Sequence, residues 1–259
     1  MDWAKAKTYL IIAFAITNII MIISLAGDYG RQEKGYFTKE ALSSLQILLE
    51  KNDIDLTIEL PKDTPKMGNL SIEYEDIDEE RFRQLFEDYS ENIDIIAEKK
   101  MVLITESPLP VFDAETASAE AETFIEKYDL KEDYEFKYAD VEQGRIQIFY
   151  SSKYKDRFLE NSYMMFEYRD NDRFKFERLK MHVIDESRNK KKVMTSAEAL
   201  IKATALIEPG QAVEEIELGY NYAQYESLPI AKTKTATAAP SWRIRTSDGN
   251  YYYIEALEL

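Results

Sequence analysis

Residues 145–183 read RIQIFYSSKYKDRFLENSYMMFEYRDNDRFKFERLKMHV, and the rhythm of this stretch decides what kind of fold the chain builds. Aromatic and aliphatic residues alternate with charged ones over Arg145–Ser151, Tyr163–Tyr168 and Phe174–Val183, which predicts half-buried strands. Asp170-Asn171-Asp172 between two of them is a hairpin signal, as is Glu142-Gln143-Gly144 just upstream, where Tyr134–Tyr138 supplies one more strand. Short polar turns between strands give an antiparallel meander with one face toward a core.

Something must cover that face. On the N-terminal side, Ser118–Tyr128 reads as a helix presenting Ala121, Phe124, Ile125 and Tyr128 on one side. On the C-terminal side, Thr195-Ser196-Ala197-Glu198 is a capping box that opens a helix through Leu200, Ile201, Ala205 and Leu206. Strands follow at Glu215–Tyr222, Ser241–Thr246 and Tyr251–Leu257, with Asp248-Gly249 as a tight turn. Ser-Ala-Glu-Ala occurs at 118–121 and again at 196–199, each time opening a helix before strands, which suggests two helix-plus-sheet units of related plan. Earlier still, Thr38 caps a helix carrying Leu42, Leu45, Leu48 and Leu49, and Asn52 closes it. Ile54, Leu56, Ile58 and Leu60 alternate as a strand ended by Pro61. A loop with Pro65 and Gly68 leads to a second strand at Leu70, Ile72 and Tyr74. A helix with Phe82, Leu85, Phe86 and Tyr89, capped by Asp76 or Asp78, and a strand at Met101–Ile104 complete this part. The expected fold class is α+β: an N-terminal unit over 38–107, a helix plus β-meander over 108–190, and a C-terminal helix plus β unit over 191–259.

Ahead of all this stands Thr8–Ala26, TYLIIAFAITNIIMIISLA, without an ionisable side chain. At about 1.5 Å per residue it extends roughly 28 Å, close to the thickness of a bilayer's hydrocarbon core, and reads as a single transmembrane anchor. Each Ile, Leu, Phe and Met favours insertion by roughly 0.3–0.6 kcal/mol, which outweighs Thr17, Asn18 and Ser24. Lys5, Lys7 and the terminal amine abut it, with Trp3 as an interfacial anchor, so residues 1–7 are expected to be a cytoplasmic tail and the large region extracytoplasmic. Residues 27–37, with three glycines, form a juxtamembrane tether. A cleaved signal peptide is the competing reading, because Ser24-Leu25-Ala26 is small-x-small, but the apolar run is long for one. Within the span, Ala13 and Thr17 lie four residues apart, with Ser24 near the same face and Asn18 beside it. Small and hydroxyl residues let helices approach, and a membrane Asn hydrogen-bonds across, so these four form the candidate transmembrane interface.

A net charge of −16 argues against nucleic acid as a ligand, since the field repels polyanions. Lys190-Lys191-Lys192 reads as a solvated turn. The chain has no cysteine, which removes disulfides, thiol nucleophiles and thiolate metal sites. Its eight glycines form no phosphate cradle.

A search for chemistry is equally lean. His182 is the one histidine, lies in an expected strand, and reads as satisfied by its neighbours rather than catalytic. Ser187 and Lys190 match the Ser-x-x-Lys spacing, yet in a charged segment with no Lys-Thr-Gly to follow. Asp170-Asn171-Asp172 starts like a calcium loop but has Lys175 at position six and Met181 at position twelve. Forty-nine acids leave a carboxylate hydrolase open but unsupported. Tyr251, Tyr252, Tyr253 and Trp242 are candidates to line a groove for a peptide or glycan. The expectation is therefore no catalytic residue, no cofactor and no metal.

The opening Met1-Asp2-Trp3-Ala4-Lys5-Ala6-Lys7-Thr8, running into a span that holds Asn18, resembles the YycI family. The join from Leu45 to Pro61, LQILLEKNDIDLTIELP, resembles it too, as does the plan of one anchor and an outer α+β region. This resemblance implies a non-enzymatic membrane regulator of the WalK (YycG) sensor histidine kinase of cell-wall metabolism in low-GC Gram-positive bacteria. It would act with the relative YycH through transmembrane helices that contact the kinase. Pairing of the outer domain with itself or with a relative stays open. A surface hydrolase and a free-standing binding module are the alternatives.

Overall fold

The computed structural model describes residues 39–106, 113–131, 134–170, 172–222 and 234–257. No helix among them is long and apolar enough to cross a membrane, and Thr8–Ala26 lies outside them. The described chain is α+β and mostly sheet. It begins with α1 (Lys39–Lys51), β1 (Asp55–Leu56), β2 (Lys66–Met67), β3 (Leu70–Tyr74) and α2 (Glu79–Leu85). A 3-10 turn over Glu87–Asn92 leads to β4 (Ile93–Ile96), β5 (Lys100–Glu106) and α3 (Ala114–Lys127). The meander follows as β6 (Glu135–Glu142), β7 (Arg145–Tyr154), β8 (Arg157–Arg169) and β9 (Arg173–Leu179). The rest is β10 (Met181–Glu186), β11 (Lys191–Lys192), α4 (Ser196–Ala203), β12 (Ala212–Asn221), β13 (Thr235–Thr246) and β14 (Tyr251–Glu255).

The expected hairpins form. β6, β7, β8, β9, β5 and β4 lie side by side, each pair antiparallel. α3 covers one face of this sheet with Ala117, Ala121 and Ile125, and Phe86, Phe166, Phe174 and Phe176 fill the space between. Through the β12–β8 pairing the hydrogen bonding continues as one twelve-stranded sheet, whose second half, the second sheet, carries β10, β3, β13, β12 and β14 under α1 and α4. Segment 38–107 is shared between the two sheets. Its α1, β1 and β3 join the C-terminal strands, while its α2, β4 and β5 join the meander.

Local readings shift in four places. The alternation Ile54–Leu60 yields only the two-residue β1, because parallel pairing with β12 stops at Leu56↔Val213. Thr57 still donates from N and Oγ1 to the Val213 carbonyl, at 3.2 and 2.8 Å. The chain then turns away to offer the Pro61 carbonyl to Ser196 Oγ, at 2.7 Å. Phe174–Val183 is two strands, because at Lys180 the chain leaves the meander and passes to β3 of the other sheet. β4 was not expected. Finally, α3 starts four residues before Ser118, since Asp113 accepts from Thr116 N at 2.8 Å and caps it there. Ser-Ala-Glu-Ala therefore opens α4 but sits one turn inside α3, so the repeated tetrapeptide does not mark equivalent positions.

The two sheets meet along a narrow seam. β12 touches β8 in parallel at Tyr220↔Leu159, and Asn161 extends the join by donating to the Tyr222 carbonyl (3.0 Å) and accepting from Tyr222 N (2.6 Å). Small residues make the crossing feasible. A Cβ on Gly219 would come within 2.8 Å of the Phe158 carbonyl oxygen. Ser151 Oγ, on a bulge of β7, lies 2.8 Å from the Leu159 carbonyl oxygen and 2.9 Å from that of Ser162.

Candidate functional site

Beside the seam, charge is gathered where the sequence hid it. β13 reads Trp242-Arg243-Ile244-Arg245, so the period of two sends Trp242 and Ile244 into the core and both arginines to the other face. β12 answers with Glu215 opposite Arg245 and Glu217 opposite Arg243. Arg243 is only 1% exposed. Its Nη2 bonds Glu215 and, at 2.9 Å, Glu217, while Nε lies 3.7 Å from Glu160 of β8. Tyr138 of β6 and Tyr251 of β14 lie against the guanidinium, with ring centroids 5.1 and 5.3 Å away. Lys137 of β6 pairs with the same Glu160, which also accepts from the Tyr253 hydroxyl at 3.2 Å. Arg245 reaches back to Asp140 of β6, at 3.2 Å.

Burial alone would lower the Arg243 pKa, but the charges of Glu160 and Glu215 and the bond to Glu217 outweigh it and hold the group above its ordinary value. Burial wins at Lys137, whose pKa falls, with neighbouring Arg243 pushing the same way against Glu160. Two cations thus share carboxylates across β6, β8, β12, β13 and β14, and each strand pair the cluster spans is locked by it. The legible signal was the matching alternation of arginine in one strand and glutamate in the next. Only pairing register, which the sequence does not display, makes it a site.

The residues singled out from the sequence go elsewhere. Ala13, Thr17, Asn18 and Ser24 lie outside the described residues. His182 is exposed on β10, in register with Glu73, at the edge of a cleft of ≈ 440 Å³ that Lys131, Lys153 and Lys180 also line. Lys190 pairs with Glu186 at 2.9 Å, while the Ser187 backbone closes on Gly68, so the two are not arranged as nucleophile and base. Trp242 is a core residue, its Nε1 donating to the Met194 carbonyl at 3.0 Å, and does not face a groove. Among the described residues no three of His, Asp or Glu gather as a metal set.

A second feature lies at the start of the domain. α1 and the chain to Leu60 border a groove of ≈ 600 Å³. Leu42, Leu45, Leu49, Ile54, Leu56 and Leu60 line it, together with Gln46, Glu50, Asp53 and Asp55.

Fold and cluster together define a sheet-rich α+β domain whose buried charges serve to lock two sheets. The YycI family (YycI protein) matches residues 36–257, and the chain belongs to that family. The family is a regulatory one, and membership implies a regulator of the WalK/YycG two-component system. No curated protein matches the chain. A solved structure of an uncharacterized protein from Eubacterium rectale aligns with 84% of this chain and 94% of that one, at 10% identity and a TM-score of 0.43.

Proposed function

We propose that this chain is a single-pass membrane accessory regulator of the sensor histidine kinase WalK (YycG), acting with YycH through contacts of its transmembrane helix and catalysing no reaction. The observation that carries the reading is the family match over 36–257, which begins ten residues after the apolar span ends at Ala26. The N-terminus is then cytoplasmic and the sheet domain extracytoplasmic. A domain locked across its seam moves as one body, so a change at its outer face reaches the anchor instead of dissipating between the sheets. The anchor biases the kinase helices between two arrangements, and a coupling of about 1–3 kcal/mol suffices for a roughly 5- to 150-fold change.

The test exchanges Thr8–Ala26 for an unrelated span of equal length. Kinase pull-down and target-gene output are expected to be lost while the outer domain stays folded. Asn18→Leu alone is expected to weaken pull-down through loss of one interhelical hydrogen bond. Persistence of both readouts in the exchanged chain would remove the anchor from the mechanism and leave the outer domain to carry the function.

A further inference from the structure

We infer that the groove between α1 and residues 53–60 is a docking site for a basic amphipathic helical segment of a second membrane-anchored protein. The location of that partner rests on the anchor reading above; its chemistry does not. Six aliphatic side chains floor the groove, and Leu42 remains 41% exposed there, an open position for a residue on the apolar side of an amphipathic helix. The ionisable groups that line the groove are Glu50, Asp53 and Asp55, with no Lys, Arg or His among the lining residues. None of the three is ion-paired to a described residue. Some carboxylates elsewhere are neutralised, as Glu177 is by Lys100 and Lys175 and Glu186 by Lys155 and Lys190, whereas these three share the groove with no cation. An apolar floor with an unneutralised acidic rim is complementary to a helix with leucine-type residues at i, i+3, i+4 and i+7 and lysines beside them.

Position supplies the rest. Residues 27–38 separate the span from α1, and even fully extended they reach about 40 Å. The groove therefore stays within reach of the bilayer surface, where the juxtamembrane helix of a neighbouring membrane protein emerges.

The full chain in nonionic detergent is titrated into a fluorescent synthetic helix of about 18 residues, five turns, with a leucine stripe and lysines on its other faces. A twin carries glutamate for lysine. The lysine helix is expected to bind and the glutamate twin not. Leu42→Glu is expected to weaken the lysine helix about tenfold or more, an effect worth about 1.4 kcal/mol. Glu50→Lys with Asp55→Lys is expected to reject the lysine helix and accept the twin, a reversal that misfolding cannot imitate. Charge reversal at exposed Glu122 and Glu126 on α3 is expected to change nothing. Lysine-helix binding that ignores all groove variants is attraction to a −16 chain and overturns the inference. So does peptide-free self-association, followed by sedimentation, that Leu42→Glu abolishes, since a second copy then fills the groove. Anchor exchange leaves this binding untouched, so the two readings fail separately.

Discussion

The two cores are built from different materials in different ways. The meander core is aromatic: Phe86 lies 4.4 Å from Tyr128 between ring centroids, and Phe176 lies 4.9 Å from both Phe124 and Phe166. Most of its residues come from one run of chain, α3 through β9. The other core is mainly aliphatic, with Leu45, Ile72, Leu200, Val213 and Ile244 at its centre and Trp242, Tyr74 and Tyr220 as its buried rings. It draws on both ends of the chain. Hairpins close over short loops at little entropic cost, whereas α1 meets α4 and β12 only after a long loop has closed. The difference teaches that the meander specifies itself, while the aliphatic half depends on the meander to bring its pieces together.

The largest effects come from the cores themselves. Phe166, fully buried amid four other rings, is expected to cost about 4 kcal/mol on replacement by alanine, and fully buried Leu200 about 3 kcal/mol. Denaturant unfolding followed by ring fluorescence and by circular dichroism checks both. If the aliphatic half depends on the meander, Phe166→Ala shifts one common transition. Two transitions, with the second unmoved, would show the halves to be independent.

Next comes the lock. Arg243→Ala leaves Glu160 with Lys137 alone as its cation, frees Glu215 and Glu217 of their shared partner, and removes the cation held by two tyrosine rings. Breaking a buried pair costs roughly 3–5 kcal/mol, and because Glu215 and Glu217 can turn to water, about 3 kcal/mol is expected. The telling readout is amide exchange, which should rise at β6 and β14 more than at β8 and β9. Gly219→Ala follows at about 2 kcal/mol, since the new methyl meets backbone that cannot swing aside. Its exchange signature should centre on the Tyr220–Leu159 join.

What the sequence displayed, and what it withheld, divides along the same line. The capping box at Thr195 and Glu198 forms as written, with Thr195 N donating to Glu198 Oε2 at 2.7 Å. Gly249, at φ +81°, makes the turn that Asp248-Gly249 announced. These are short-range features in which one residue's chemistry meets a neighbour's. Thr57, by contrast, bonds Val213 across 156 residues, and no local period names so distant a partner. The Arg243 cluster fails for the same reason. Its alternation was visible in each strand, yet only register turns it into a lock. Asp113 does not stand out as a cap in the sequence because the apolar face of α3 becomes evident only a turn later.

The smallest effect probes the outer margin of the aliphatic half. Glu186, at the end of β10, accepts from Lys155 of the β7–β8 turn and pairs with Lys190 at 2.9 Å. The bond from Lys155, then that from Lys190, holds its carboxyl down at about 2, against an ordinary 4.5. The charged form is therefore held more tightly in the folded state. Its stabilisation is complete above pH 4.5 and drains away as pH falls toward 2. Glu186→Gln is expected to flatten that acid limb of the stability curve and leave the neutral plateau lower by only a small amount, because both lysines remain solvated. An unchanged slope between those two pH values would mean that the Lys155 contact does not persist in solution, and that the Tyr154 hydroxyl, 3.3 Å from Glu186 Oε2, is the side-chain tie left between the end of β7 and β10.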